Sequence, residues 1–182
     1  MKESEYTYYS AFMQIMRAIS SSIDLETVLQ LIVKSTCEMT GSKGCTLMLL
    51  DGKGENLEIK SFYGLSEQYV RKGPVAADRS ISDTVRGEPV IIEDAASDPR
   101  VQYPGEARQE GIASIVSVPM LVRGKVTGVL RLYTSVPCRF ATDDIDFLSA
   151  IAMQAGLAIE NAKLYQDAKS NYEKQMTPPP SP

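Results

Sequence analysis

The chain contains no histidine. Without an imidazole these residues supply no phosphoacceptor histidine, no Ser-His or Cys-His nucleophile pair, and no His-ligated zinc or haem. Cysteine is scarce. Cys37, Cys45 and Cys138 are too few and too oddly numbered for a disulfide framework, which points to reduced thiols in a cytosolic protein. A long basic run is also missing, and with a net charge of −4 and a pI near 5.0 the surface is not built to hold nucleic acid. The first residues, MKESEYTYYSAFMQIMRAIS, begin with mixed charge and have no continuous apolar core, so they read as neither a signal peptide nor a transmembrane span. No membrane partner follows, and the cytoplasm is the expected compartment. There is no internal repeat and no kinase, cyclase, helix-turn-helix or ATPase motif. Any output therefore passes to an effector in trans, or this is one module of a longer chain.

What is present is enough for one domain. A chain of 182 residues with 43% apolar content can bury a substantial core. Tyr9, Phe12, Met13, Met16 and Ile19 recur at spacings of three and four and predict an N-terminal helix within residues 1–23. Asp24 is a good N-cap for a second helix that buries Leu25, Val28, Leu29, Ile32, Val33 and Met39 and ends at Gly41. CTLMLLD and NLEIKSFYG read as an antiparallel hairpin joined through residues 51–54. Residues 65–80 read as one helical turn plus a loop, residues 81–86 as a short helix, and VIIED after Pro89 as a third strand. A long irregular crossing over residues 95–111 leads to two final strands that meet at Arg123-Gly124-Lys125. Loops of that length in a compact domain are often functional. Thr142 can cap a long helix, with Asp143 and Asp144 at the positive end of its dipole. Leu148, Ala152, Ala155, Ile159 and Ala162 form one stripe on it, and Ile151, Ala158, Tyr165 and Tyr172 a second. One stripe is expected on the sheet and the other on a partner helix. The main domain is placed at 24–165, followed by a polar helix end and the proline-rich tail MTPPPSP over 166–182.

Several polar side chains stand where chemistry could occur, each with an ordinary structural role beside it. Asp94 after VIIED could accept a hydrogen bond from a ligand, but Asp in such a position more often caps a turn. Asp98 and Arg100 flank Pro99 and are expected to bridge to each other or to the backbone. Strand alternation along IASIVSVPM places Ser114 and Ser117 on opposite faces unless a bulge intervenes. Arg131 in GVLRLY is expected to face solvent, since unpaired charges are rarely buried. Buried, it would be the natural group for an anion, because a guanidinium forks onto carboxylate or phosphate. Phe62, Tyr63 and Tyr103 are aromatic candidates, for the core or for stacking on a ligand.

The order ISDTVRGEPVIIED, the Asp98-Pro99-Arg100 turn, a VPM strand, GKVTGVLRLY and the FATDDIDFLSAIAMQAGLAIENAKLY segment resembles a GAF domain, over about four fifths of the chain. The resemblance implies an α/β (α+β) fold: a central antiparallel sheet of five or six strands, terminal helices on one face, and a pocket under loops and short helices on the other. It implies a non-catalytic sensory or regulatory module that binds an unidentified small molecule and relays the bound state through the C-terminal helix of a homodimer. The implied ligand-binding residues are Phe62, Tyr63, Ile81, Ser82, Asp94, Tyr103, Ile112, Ser114 and Arg131. No cofactor is assigned. Two alternatives stay open, a thiol-dependent enzyme like the free methionine sulfoxide reductases of this family and a ligand-free dimerisation module. The reductase branch carries its cysteines on pocket loops, whereas Cys37 and Cys45 fall on the second helix and the first strand. Cyclic-nucleotide binders carry an NK...F-x3-DE motif, of which only Phe140 and Asp144 match here, with Ile145 in the place of the Glu.

Overall fold

The computed structural model describes residues 12–13, 15–17, 24–77 and 82–176. Residues 12–13 and 15–17 are helical, and Ile15 is buried while Phe12 and Met16 pack against the core. The predicted contributions of Tyr9 and Ile19 lie outside the described residues. The main domain follows in order: α1 (Leu25–Thr40), β1 (Gly44–Leu50), β2 (Asn56–Tyr63), α2 (Glu67–Val70), β3 (Val75–Ala76), α3 (Ser82–Val85), β4 (Val90–Ile92), α4 (Pro104–Glu110), β5 (Ser114–Val122), β6 (Lys125–Thr134) and α5 (Thr142–Met176).

Local chemistry explains most of these boundaries. The Asp24 side chain accepts from the Thr27 amide at 2.9 Å, and α1 closes at Gly41 with φ 62°, a left-handed C-cap that glycine adopts without a Cβ clash. The turn between β5 and β6 needs positive φ at both Arg123 (51°) and Gly124 (76°), which matches the right-handed twist of the strands it joins. At α5 the expected cap is displaced by one residue. Thr142 is already helical, and the amide of Ala141 donates to Asp144 Oδ2 at 2.8 Å, so a first-turn carboxylate reaches back as in a capping box. Two elements were not legible in advance. The loop after α2 contains the two-residue strand β3, paired with β2, and the crossing over 95–111 contains α4.

The six strands form one antiparallel sheet in the order β3-β2-β1-β6-β5-β4, within the expected five or six. Its two faces differ in what covers them. Cys45, Leu47, Val116, Val118, Leu130 and Leu132 turn toward α1 and α5 and form the main core with Val33, Leu148, Ile151 and Ala155. On the other face Ile92, Ile115 and Tyr133 pack with Tyr69 of α2 and Ala107 of α4, and Met48 and Val129 pack beside Val75. This is the fold the resemblance implied, with helices on one side and short elements on the other.

The apolar positions of α5 are redistributed relative to expectation. Leu148, Ile151, Ala152, Ala155 and Ile159 are all buried in the helix-side core, with Ala158 packed against it, so Ile151 and Ala158 belong to the sheet-facing stripe. At about 100° per residue these positions span one wide face. Met153, Leu157 and Leu164 lie on the opposite side and are exposed, as are Tyr165 and Tyr172. No described helix is long and apolar enough to cross a membrane.

Close approach between elements depends on two glycines. A Cβ on Gly128 of β6 would overlap the Met48 carbonyl oxygen of the neighbouring strand, and one on Gly156 of α5 would press on Val122. Gly128→Ala is therefore expected to destabilise the domain by about 2 kcal/mol or more, a fall in Tm of roughly 4–8 °C. Gly105→Ala, inside α4 with nothing within 4 Å, should leave Tm unchanged or raise it slightly. Thermal unfolding followed by circular dichroism checks both.

Candidate ligand site

The face of the sheet away from α1 and α5 carries a row of buried polar side chains. Strand register sets Thr46 of β1 and Ser117 of β5 directly across from Arg131 of β6 on either side. Directly paired residues share a face, and all three are buried, with Arg131 only 4% exposed. The solvent-facing position expected for Arg131 is thus corrected. It lies on a central strand under α2 to α4, and its Nε donates to Ser117 Oγ at 2.9 Å. Two residues along β6, the Tyr133 hydroxyl lies 3.2 Å from Thr46 Oγ1.

The short elements add to this row from above. The Tyr69 ring stands edge-on to Tyr133, with centroids 5.8 Å apart and an interplanar angle of 87°, a favoured arrangement of two aromatic quadrupoles. Lys72, just past α2, holds its ammonium 3.7 Å from the Tyr69 ring centroid and 5.9 Å from that of Tyr103, a cation–π geometry. The same ammonium donates to the Tyr69 carbonyl at 3.1 Å. α3 lies against β5 and β6, the strands of Ser117 and Arg131. Its Thr84 is fully buried, and its hydroxyl has no hydrogen-bond partner among the described residues.

Burial and neighbouring charge shift these groups. Desolvation first, then the charge of Arg131, brings the Lys72 ammonium down to about 8, against smaller upward effects from Glu106 and Glu110. Burial, followed by Tyr133, pushes the Tyr69 phenol well up, so it remains a protonated donor at any working pH. Two open concavities lie among the covering elements, and neither is lined by Thr46, Ser117, Lys72 or Thr84. One of about 330 Å³ is lined by Tyr69, Gln68, Glu106 and Glu110, and one of about 240 Å³ by Ala95, Arg108, Gly111 and Ile112. Neither is lined by Arg131.

The sequence-predicted residues separate into groups. Phe62 packs at the margin of the Tyr69–Tyr133 cluster and Ile112 is buried within it. Tyr103 reaches the same region, its hydroxyl donating to the Pro74 carbonyl at 2.9 Å and accepting from Gln102 Nε2 at 3.2 Å. Tyr63 is set apart by strand alternation: it packs on the helix-side core and donates to Glu38 of α1 at 3.1 Å. Ser114 likewise lies on the face opposite Ser117, where its hydroxyl donates to the Glu93 carbonyl at 2.7 Å and accepts from the Cys138 amide at 2.9 Å. Asp94 accepts from Ala96 N at 3.0 Å and Ser97 Oγ at 2.6 Å, which is the turn-capping role. Asp98 and Arg100 bridge each other, with Nη2 to Oδ2 at 2.6 Å, and Nη2 also donates to the Ile91 carbonyl at 2.9 Å. Ser82 opens α3, and Ile81 lies outside the described residues. Thr46, Tyr69, Lys72, Thr84 and Tyr133 were missed. Thr46 and Tyr133 are ordinary strand residues that only the register across neighbouring strands sets beside a buried arginine, and Tyr69, Lys72 and Thr84 come from short covering elements whose packing no local pattern reveals.

Two of the three thiols stand away from this face. Cys37 and Cys45 are buried in the helix-side core, and burial raises the pKa of both, which lowers their thiolate fraction. Cys37 Sγ donates to the Ser42 carbonyl at 3.0 Å.

Two outcomes follow from this geometry. Thr84→Val, which removes a buried hydroxyl without a partner, is expected to leave the unliganded protein as stable or to stabilise it by about 1 kcal/mol in urea unfolding. Hydrogen bonding from Arg100 depresses the Asp98 carboxyl below its ordinary 3.8, so its contribution is present above the unfolded value and disappears as pH falls through the folded one. Asp98→Asn should therefore unfold at lower urea than the parent at pH 7, and the gap should close on acidification below pH 3.8.

Comparison with known proteins agrees with this architecture. A methyl sulfide methyltransferase-associated sensor of Methanosarcina acetivorans is 26% identical over 171 residues, covering 90% of this chain and 17% of that protein. This chain spans 17% and 22% of the lengths of two curated relatives it matches. The GAF domain of a phosphoenolpyruvate-protein phosphotransferase from Coxiella burnetii superposes with a TM-score of 0.79 at 21% identity, covering 89% of this chain and 98% of that one. A free methionine-R-sulfoxide reductase from Neisseria meningitidis, in complex with its substrate, shares the fold with a TM-score of 0.73 at 18% identity, covering 87% and 91%. The GAF domain family profile matches residues 22–160, and the chain belongs to the GAF domain family.

Proposed function

We propose that this domain is a non-catalytic sensory or regulatory module that binds a small molecule on the face covered by α2, α3 and α4. The observation that carries the reading is the buried row Thr46–Arg131–Ser117, overhung by Tyr69 and Lys72. Burying polar groups is costly even where they are hydrogen-bonded, and burying a charge more so. A fold seeking only stability would fill this face with aliphatic side chains, as it does on the helix side. The match to a sensor, though it covers only part of that protein, supports the same role.

The bound state passes to α5. That helix packs on β5 and β6 through Leu148, Ile151 and Ala155, and β6 carries Arg131 on its other face. From residue 163 onward its described side chains are exposed. Met153, Leu157 and Leu164 offer one exposed apolar row along it. A second copy of the chain covers that row, so a shift in the sheet changes helix crossing between two protomers. The effector then acts in trans or follows in a longer chain, in a cytoplasmic setting. The placement of Cys37 and Cys45 on the opposite face favours the sensor over a thiol-dependent reductase.

Native mass spectrometry of gently purified protein tests both parts. The expected particle is a dimer carrying a discrete small-molecule adduct, and Leu157→Glu with Leu164→Glu is expected to give a monomer at tens of micromolar with an unchanged circular dichroism spectrum. A parent monomer at that concentration would remove the relay, and an unliganded particle that takes up no compound from a metabolite extract would remove the sensor.

A further inference from the structure

We infer that the second copy of this chain docks on α5 in parallel and in register, along a seam from Gln154 to Ala168 whose flanking tyrosines donate hydrogen bonds to carboxylates of the partner helix. This rests on the reading of the domain as a homodimer, and adds its direction and the residues that fix it. Gln154, Leu157, Asn161, Leu164 and Ala168 follow one another at spacings of three, four, three and four. At about 100° per residue they lie on the side of the helix opposite Leu148, Ala152, Ala155 and Ile159, which are buried in the helix-side core. Leu157, Asn161, Leu164 and Ala168 are exposed and Gln154 is half-buried. Written as heptads, the two leucines take position d, and Gln154, Asn161 and Ala168 take position a. Leucine at d suits a two-stranded coiled coil, and Asn161, the polar a residue between the leucines, sets the register because its amide is satisfied by the same amide across the seam.

The residues beside the seam decide the direction. Position g holds Met153, Glu160 and Asp167, and position e holds Ala158, Tyr165 and Tyr172. In a parallel pair each g residue faces the e residue five positions further along the other helix. Glu160 then meets the partner's Tyr165, and Asp167 the partner's Tyr172, each a phenol donating to a carboxylate in a charge-assisted hydrogen bond. An antiparallel pair would set g against g and bring the acids of the two helices together, where like charges are costly. The two tyrosines are 69% and 63% exposed on the single chain, so they have an open flank to offer. Glu160 also ties the seam to the sheet. Its Oε1 lies 3.4 Å from Nε of Arg123, the positive-φ residue of the turn between β5 and β6, and a carboxylate has lone pairs enough for both partners.

Disulfide trapping of the full chain tests the direction and register. Cys37 and Cys45 are buried, so Cys138→Ser serves as the background. In it Ala168→Cys is expected to form a disulfide-linked dimer under mild oxidation, because facing a positions bring their Cβ atoms within bridging range. An equal mixture of Gln154→Cys and Ala168→Cys chains, combined before oxidation, should give no mixed disulfide. A mixed disulfide, or a dimer in which Ala168→Cys does not cross-link, overturns the parallel docking and leaves the homodimer standing. Sedimentation equilibrium tests the flanking pairs. Asp167→Ala and Tyr172→Phe should each raise the dimer dissociation constant by about five- to tenfold, since a symmetric dimer loses two hydrogen bonds, and the double variant should be little weaker than either. Circular dichroism should show the parent's helix content in all three. Losses that simply add, or no loss, overturn the pairing. A parent chain that is monomeric removes the homodimer and this docking together.

Discussion

The constraint on which the rest of this fold turns is a charge placed in the middle of a sheet. Arg131 occupies the central strand β6, between β1 and β5, and is 4% exposed. A guanidinium cannot shed its charge, so the protein must surround it with polar partners. Ser117 Oγ accepts from the Arg131 Nε at 2.9 Å, and Thr46 stands at the other directly paired position, with its own hydroxyl 3.2 Å from that of Tyr133. The helix-side face of the same strands has no such group. There Leu130 and Leu132 alternate with Val116 and Val118 against α1 and α5.

The two faces therefore have different mechanical roles. The helix side is close-packed, and Gly156 lets α5 approach β5 closely enough that a Cβ would meet Val122. Interiors of that density transmit small displacements rather than absorb them. The opposite side is covered by short elements, a four-residue α2, a four-residue α3 and a seven-residue α4, each too short to be stable without its tertiary contacts. A domain with one close-packed face and one face of short segments is consistent with the proposed binding surface on the second and the proposed output helix on the first.

Much of the scaffold was legible in the residues. Asp24 and Gly41 bound α1, the Arg123-Gly124 turn joins β5 and β6, and alternation correctly set Ser114 and Ser117 on opposite faces. Asp94 caps its turn and Asp98 bridges Arg100, because local hydrogen bonds depend on chain neighbours alone. α4 escaped notice because a seven-residue helix opening at Pro104 carries too little periodicity to read, and β3 because two residues carry none. The exchange of Ile151 from the partner stripe to the core had a similar origin: stripes adjacent on a helix are divided by what packs on them, not by their spacing.

Local sequence by itself determined the longer elements, most of their caps and turns, and the alternation of each strand, since these follow from backbone geometry and neighbours a few residues apart. It also determined what the chain lacks, because no fold can supply an absent imidazole. Only the tertiary structure decided which strands lie beside β6, and hence that Thr46, Ser117 and Arg131, separated by up to 85 positions in the chain, form one buried row. It alone brought Lys72 over Tyr69 and placed Tyr63 and both buried cysteines on the far side. Strand register and the layering of helices on a sheet are settled by long-range packing, and a charge in a strand reads as exposed until its neighbours on both sides are known.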